Sequence, residues 1–187
     1  MKVDFVEESG KLMKQSTIQN DAPSWLLAEM VVEKGRELAR KYEADEELVV
    51  ASLYLAHIVF SKGLKDKIQQ QHTKLSSRMA KTYLDKWKVP EEKQKIILNA
   101  IEAHHGDVLT ESKEAEIMKN AECYKFITVK GCLILLHDLG RRGHSFEDAI
   151  KFVFFKLNQK LSYLTLDECK KDGEKNATEI KKIFGVL

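Results

Sequence analysis

Three short stretches of this sequence carry imidazole and carboxylate groups on helical patterns. They read His72-Thr-Lys-Leu-Ser-Ser-Arg-Met-Ala80, Ile101-Glu-Ala-His-His-Gly106 and Glu114-Ala-Glu-Ile-Met-Lys-Asn-Ala-Glu122. A further histidine, His57, stands near the end of an apolar run that begins at Leu48. Imidazole and carboxylate are ligands of divalent metals, and a hydrolytic metal site needs three or more of them converging, with a position left open for water. Each group also has a plainer reading. His57 on an apolar helix suits a core histidine bonded to a carbonyl or to Glu122. His72 at a helix N-terminus suits an exposed polar residue, and His104-His105 beside Gly106 suits imidazolium at the negative end of a helix dipole. Glu122, flanked by Ala121 and Cys123, is expected to be partly buried; a buried carboxylate needs a partner, and His57 is the candidate.

The elements that must position these groups are helices. Residues 1–20 are expected to form an N-terminal arm and 21–187 a single helical domain. Asp21-Ala-Pro-Ser24 has the form of a helix start, with proline near the first-turn position where its missing N–H costs nothing. Leu27, Val31, Leu38 and Tyr42 then recur at helical spacing. Ala44-Asp45 breaks that helix and caps the next, which is expected to run through Ile58. That second helix is apolar nearly all round and so should be the buried centre of a bundle. Ser61-Lys-Gly63 and Asp66 mark a loop before the helix of His72, Leu75, Met79 and Leu84. Val89-Pro90 opens the next helix, and Gly106 closes it. Helices near 112–127, 128–139, 145–163 and 166–184 complete an all-α reading, with no alternating strand or repeat.

Composition narrows the function. A chain of 187 residues with 43% apolar content is large enough for one substantial core. Charged residues make up 32% of it, yet the net charge is +2, a mixed solvated surface rather than the basic excess of a nucleic-acid binder. No apolar stretch reaches the ~18 residues of a membrane span. The N-terminus is charged and lacks the apolar core of a signal peptide. Cys123, Cys132 and Cys169 are odd in number and show no Cys-x-x-Cys spacing, which points away from a disulfide framework or zinc knuckle. The expectation is a reduced, cytoplasmic protein with no nucleic-acid or membrane partner.

The order of the candidate groups resembles the HD-domain superfamily of metal-dependent phosphohydrolases, whose ligand series runs H…HD…H…H…D. Val31, Gly35, Leu38 and Ala39 match the pattern that follows the first histidine, which puts that slot at or near Leu27; no histidine precedes His57. The apolar run Glu47-Leu-Val-Val-Ala-Ser-Leu-Tyr-Leu55 matches the approach to the HD pair, and the residues there are Ala56-His57-Ile58. One register puts alanine at the histidine slot and His57 at the aspartate slot. The other keeps His57 and replaces the aspartate with Ile58. His72 matches the third position, His104 or His105 the fourth, and Glu122 the final aspartate. The likeness covers roughly residues 21 to 185.

What the resemblance implies is a degenerate centre, with His57, His72, His104, His105 and Glu122 as metal ligands. Three imidazoles and one carboxylate suit zinc, manganese, nickel or iron better than magnesium; the lost ligands also admit a site with no metal. Asp107, Arg141 and Arg142 are candidates for holding a small phosphorylated substrate, the arginines by bidentate hydrogen bonds. Leu135-Leu-His-Asp-Leu-Gly140 spells an HD pair, but only His144 follows it, so the series cannot be completed. Leu135, Leu136 and Leu139 read as core, and His137-Asp138 as a helix end closed by Gly140. Three functions stay open: a phosphohydrolase of nucleotides or other phosphate esters with a rebuilt metal centre, a non-catalytic relative binding a phosphorylated ligand or a protein partner, and a structural domain whose histidines are vestigial.

Overall fold

Capping residues and apolar periodicity divide the chain into helices with short connections. The computed structural model describes residues 3–20, 24–59 and 66–185. Nine helices occupy them in chain order: α1 (Phe5–Asn20), α2 (Trp25–Lys41), α3 (Glu46–Leu55), α4 (Asp66–Lys86), α5 (Glu91–Ala103), α6 (Lys113–Ile127), α7 (Val129–Arg141), α8 (Phe146–Leu161) and α9 (Asp167–Ile183). No strand is present among the described residues. The expected helix start at Asp21-Ala-Pro and the loop Ser61-Lys-Gly63 lie outside the described residues.

Local chemistry sets the helix ends. The Asp45 carboxylate accepts from the Glu47 and Leu48 amides and starts α3, while the Ser112, Thr128 and Ser145 hydroxyls do the same for α6, α7 and α8. The expected ends of α3 and α7 shift. Burial continues through Ile58, but the helix stops at Leu55, so Ala56 and His57 stand on the turn that follows. An apolar run reports burial and does not by itself fix where helical geometry ends. Gly140 lies inside α7, and Gly143, at φ +88°, follows the helix end. Leu135 and Leu139 are buried as expected.

The core forms around α3 and α6. Val49, Val50, Ala51, Leu53 and Leu55 of α3 are all buried. So is α6 from Ile117 to Lys125. It packs against α2, α3, α5, α7, α8 and α9, so it has no polar face to leave in solvent. Its sequence nonetheless carries Lys119, Asn120, Glu122 and Lys125 into that interior. Asn120 is satisfied structurally: its amide donates to Thr165 Oγ1 at 2.8 Å, and its Oδ1 accepts from the Thr165 amide at 3.0 Å. Glu122 and Lys125 require another explanation.

Candidate metal centre

Four elements bring the chemical groups together. The turn after α3 presents His57, α4 presents His72, the C-terminal end of α5 presents His104 and His105, and the middle of α6 presents Glu122. The rings of His57 and His72 stack with centroids 5.3 Å apart, and that of His104 stands edge-on to both, at 5.2 and 5.5 Å. His105 lies against His72 at 4.8 Å and against His104 at 4.4 Å. One ring nitrogen from each of His57, His72 and His104 lies within 4.8 Å of the others, and all three residues are buried. Ligand nitrogens around a tetrahedral zinc stand roughly 3.3 Å apart. A shift of the rings by about an ångström would therefore seat an ion.

His72 does not stand at a helix start. It lies inside α4, which begins at Asp66, and it is buried, so the exposed reading fails. His104 forms the cap of α5, and its Nδ1–H donates to the Ile101 carbonyl at 2.6 Å. That bond fixes the tautomer and leaves the lone pair on Nε2. Nε2 is buried with no hydrogen-bond partner among the described residues. Burial, followed by the neighbouring His105, holds His104 well below the usual histidine range. Burial and the Lys160 ammonium push His105 down to about 2. Both rings are neutral at pH 7, which removes the reading of imidazolium complementing a helix dipole. Gly106 follows at φ +81°, with the Tyr163 ring packed over its α-carbon.

His57 Nε2 lies 2.8 Å from Glu122 Oε1. The same oxygen accepts from Lys125 Nζ at 2.7 Å. Burial works against the Glu122 charge, but Lys125 and His57 outweigh it and hold its carboxyl well below the usual range. His57 is pushed down to about 4, first by burial and then by Lys125. The contact is thus a neutral imidazole N–H donating to a carboxylate, and Nδ1 of His57 carries the ring's lone pair. A carboxylate that holds a ligand histidine in this way sets its tautomer and orientation. Two donors thus occupy Oε1 of Glu122, while its Oε2 is buried with no hydrogen-bond partner among the described residues.

The lysines are what the sequence reading missed. Lys125 lies three residues beyond Glu122, a spacing that ordinarily marks a solvated pair; here both partners are buried. Lys160 had a clearer signal. It continues the buried stripe Ala149, Val153 and Leu157 of α8, where an apolar residue belongs. Its ammonium lies 5.7 Å from the Phe126 ring and 5.1 Å from the Tyr163 ring. Asp107 is exposed beyond Gly106. Arg141 lines an open surface groove with Leu26, Leu133, Ile134, His137 and Asp138, and no histidine of the cluster lines that groove. Arg142 caps α7. Leu27 and Ala56, which the resemblance offers as positions of absent ligands, are buried.

Comparison with known proteins gives the family and the fold. The HD domain family matches residues 28–126, over half of the chain. The protein belongs to the HD-domain family. Its fold is similar to that of a HD-superfamily hydrolase from Bacillus thuringiensis, with a TM-score of 0.70 at 13% identity over 99% of this chain and 95% of the other. It is likewise similar to Bacillus subtilis YpgQ in complex with ADP, with a TM-score of 0.68 at 16% identity over 99% of this chain and 97% of the other. At these identities the likeness is one of fold. No curated protein matches the chain in sequence.

The three imidazoles could hold a divalent metal. Buried neutral imidazoles in mutual reach suit a transition ion such as zinc, nickel, manganese or iron. Magnesium prefers an oxygen-rich shell, and the carboxylate nearest the cluster is engaged by Lys125 and His57.

Proposed function

We propose that this protein is a phosphohydrolase of small phosphorylated molecules, with a transition-metal centre rebuilt on His57, His72 and His104. The observation that carries this reading is the convergence of the three buried imidazoles. Family membership supplies the reaction class, and the ADP held by YpgQ supports a nucleotide or similar phosphate ester as the ligand. A divalent ion held there would supply Lewis acidity toward a phosphoryl oxygen and activate water for hydrolysis. The chain's own contribution is orientation. Ile101 fixes the tautomer of His104, and Glu122, itself held by Lys125, fixes His57. Burial keeps His57 and His104 neutral and therefore able to bind a cation. His105, beside His72 and His104, borders the cluster where a ligand would approach.

One observation favours a second reading. The ammonium of Lys125 already pairs with Glu122, which offsets the charge of the carboxylate at the cluster. A relative that keeps the cavity and binds a phosphorylated ligand or partner without turnover follows from that. A screen of nucleotides and simple phosphate esters with zinc, manganese, nickel, iron and magnesium separates the two. The phosphohydrolase reading expects turnover with a transition ion, little with magnesium, and loss of activity in His104→Ala. No turnover with any of the metals would identify the non-catalytic relative, and turnover that survives His104→Ala would place the chemistry elsewhere.

A further inference from the structure

The helix α1 lies ahead of residues 28–126, which the HD family matches, and contributes no histidine to the cluster. Its buried stripe is Ser9, Met13 and Ser16, at the spacing of one helix face. A serine inside a helix often turns its hydroxyl back to a carbonyl one turn before. Ser9 does this, donating to the Phe5 carbonyl at 2.7 Å. The Ser16 hydroxyl crosses instead to another element and donates to the Ile58 carbonyl at 3.1 Å, in the interior.

Ile58 directly follows His57, and both stand on the turn after α3. His72 lies inside α4 and His104 caps α5, so helical hydrogen bonds set the main chain that carries them. The main chain at His57 has less of that support. The Ala56 amide still reaches the Ser52 carbonyl at 3.0 Å, but beyond it the chain leaves the helix. A buried carbonyl there needs a donor from elsewhere, and Ser16 is that donor. In turn α1 is fixed on α3, with the Tyr54 ring against Gly10. Glu122 thus holds the ring of His57, and Ser16 holds the backbone next to it. We propose that Ser16 is a positioning residue of the metal centre, orienting the His57 turn through its hydrogen bond to Ile58. The link to a metal rests on the reading of the cluster as a transition-metal centre. The bond to Ile58 and the place of His57 beside it come from the structure alone.

The test uses the full-length protein and zinc alone. Ser16→Ala removes the hydroxyl and Ser16→Thr keeps one. Ser9→Ala is the control, since it removes a buried hydroxyl from the same helix face whose bond stays inside α1. Zinc affinity is measured by competition with a chromogenic chelator, and the ring nitrogens of His57 are followed by NMR in the metal-free protein. Ser16→Ala should bind zinc about tenfold more weakly, as expected on removing a support of a ligand histidine, and should move the His57 ring signals. Ser16→Thr should keep both the affinity and the signals, and Ser9→Ala should change neither. Wild-type affinity or unmoved His57 signals in Ser16→Ala would overturn the assignment. So would an equal loss in Ser9→Ala or in Ser16→Thr. Should Ser16→Ala not fold, Ser16→Cys, a weak donor of similar size, takes its place. A wild type that takes up neither zinc nor nickel, manganese or iron overturns the transition-metal reading alone. The metal-free His57 signals then decide whether Ser16 orients the turn: moved in Ser16→Ala but not in Ser9→Ala they support it, and otherwise they overturn it.

Discussion

His57 and Glu122 show how one buried contact redistributes the roles of a site. A buried carboxylate must find donors, and the sequence offered His57 as the partner; the 2.8 Å contact is the one that reasoning expected. Lys125 was not legible, because a lysine three residues from a glutamate on a helix nearly always reads as a solvated pair. Only the packing of α6 on all sides makes that pair internal. Removing Glu122 would strand the Lys125 charge, so Glu122→Ala should destabilise the fold by about 3–5 kcal/mol, measured by denaturant unfolding at pH 7. An effect below about 1 kcal/mol, the range of exposed pairs, would mean that the pair is solvated.

The histidines also set a pH dependence. The folded value of His57 is lowered to about 4 from 6.5, and His104 moves in the same direction. Between those values the unfolded chain binds more protons than the folded one, so stability rises with pH. The contribution is fully present above 6.5 and is lost as the pH drops toward 4. For His57 it is on the order of 3 kcal/mol. Unfolding midpoints of the metal-free protein at pH 7 and pH 4.5 should differ accordingly, and the difference should shrink in His57→Gln. A flat profile across that window would show that the imidazoles are not buried in neutral form.

At the scale of elements, the sequence marked the helices well because caps and apolar spacing are local. Asp45 begins α3 as expected, and the last four helices fall within two or three residues of their expected ends. The end of α3 was less legible, since the apolar run continues past the helix into the turn that carries His57. The α6–α7 corner carries a constraint that only packing reveals. A Cβ on Gly131 would lie 2.3 Å from the Lys125 carbonyl oxygen, and backbone cannot yield as a side-chain tip can. Gly131→Ala should therefore part α6 from α7, cost roughly 1–3 kcal/mol or more, and disturb the Lys125–Glu122 contact. Thermal unfolding with amide exchange of α6 would show it; a variant as stable as the wild type would mean that the corner relaxes freely.

For the molecule as a whole, the fold outlasts the ligand set. Solved HD-type structures share it at 13–16% identity, because helix packing asks for apolar volume at the right period, which many sequences supply. Metal ligands are single residues, and here they come from the turn after α3 and from α4, α5 and α6. The resemblance therefore placed His57, His72, His104, His105 and Glu122 in one region, and they do gather there. It could not show that Glu122 turns to a histidine and a lysine, which depends on residues outside the motif.

The central claim is that three neutral imidazoles form a transition-metal centre. Elemental analysis of protein purified without chelators, then saturated with zinc, manganese, nickel or iron and desalted, tests it most directly. The expected result is about one ion per chain, with magnesium failing to displace it and His104→Ala losing most of it. Protein that retains no ion under any of these conditions, or that retains it when His57, His72 and His104 are all replaced by alanine, would contradict the claim.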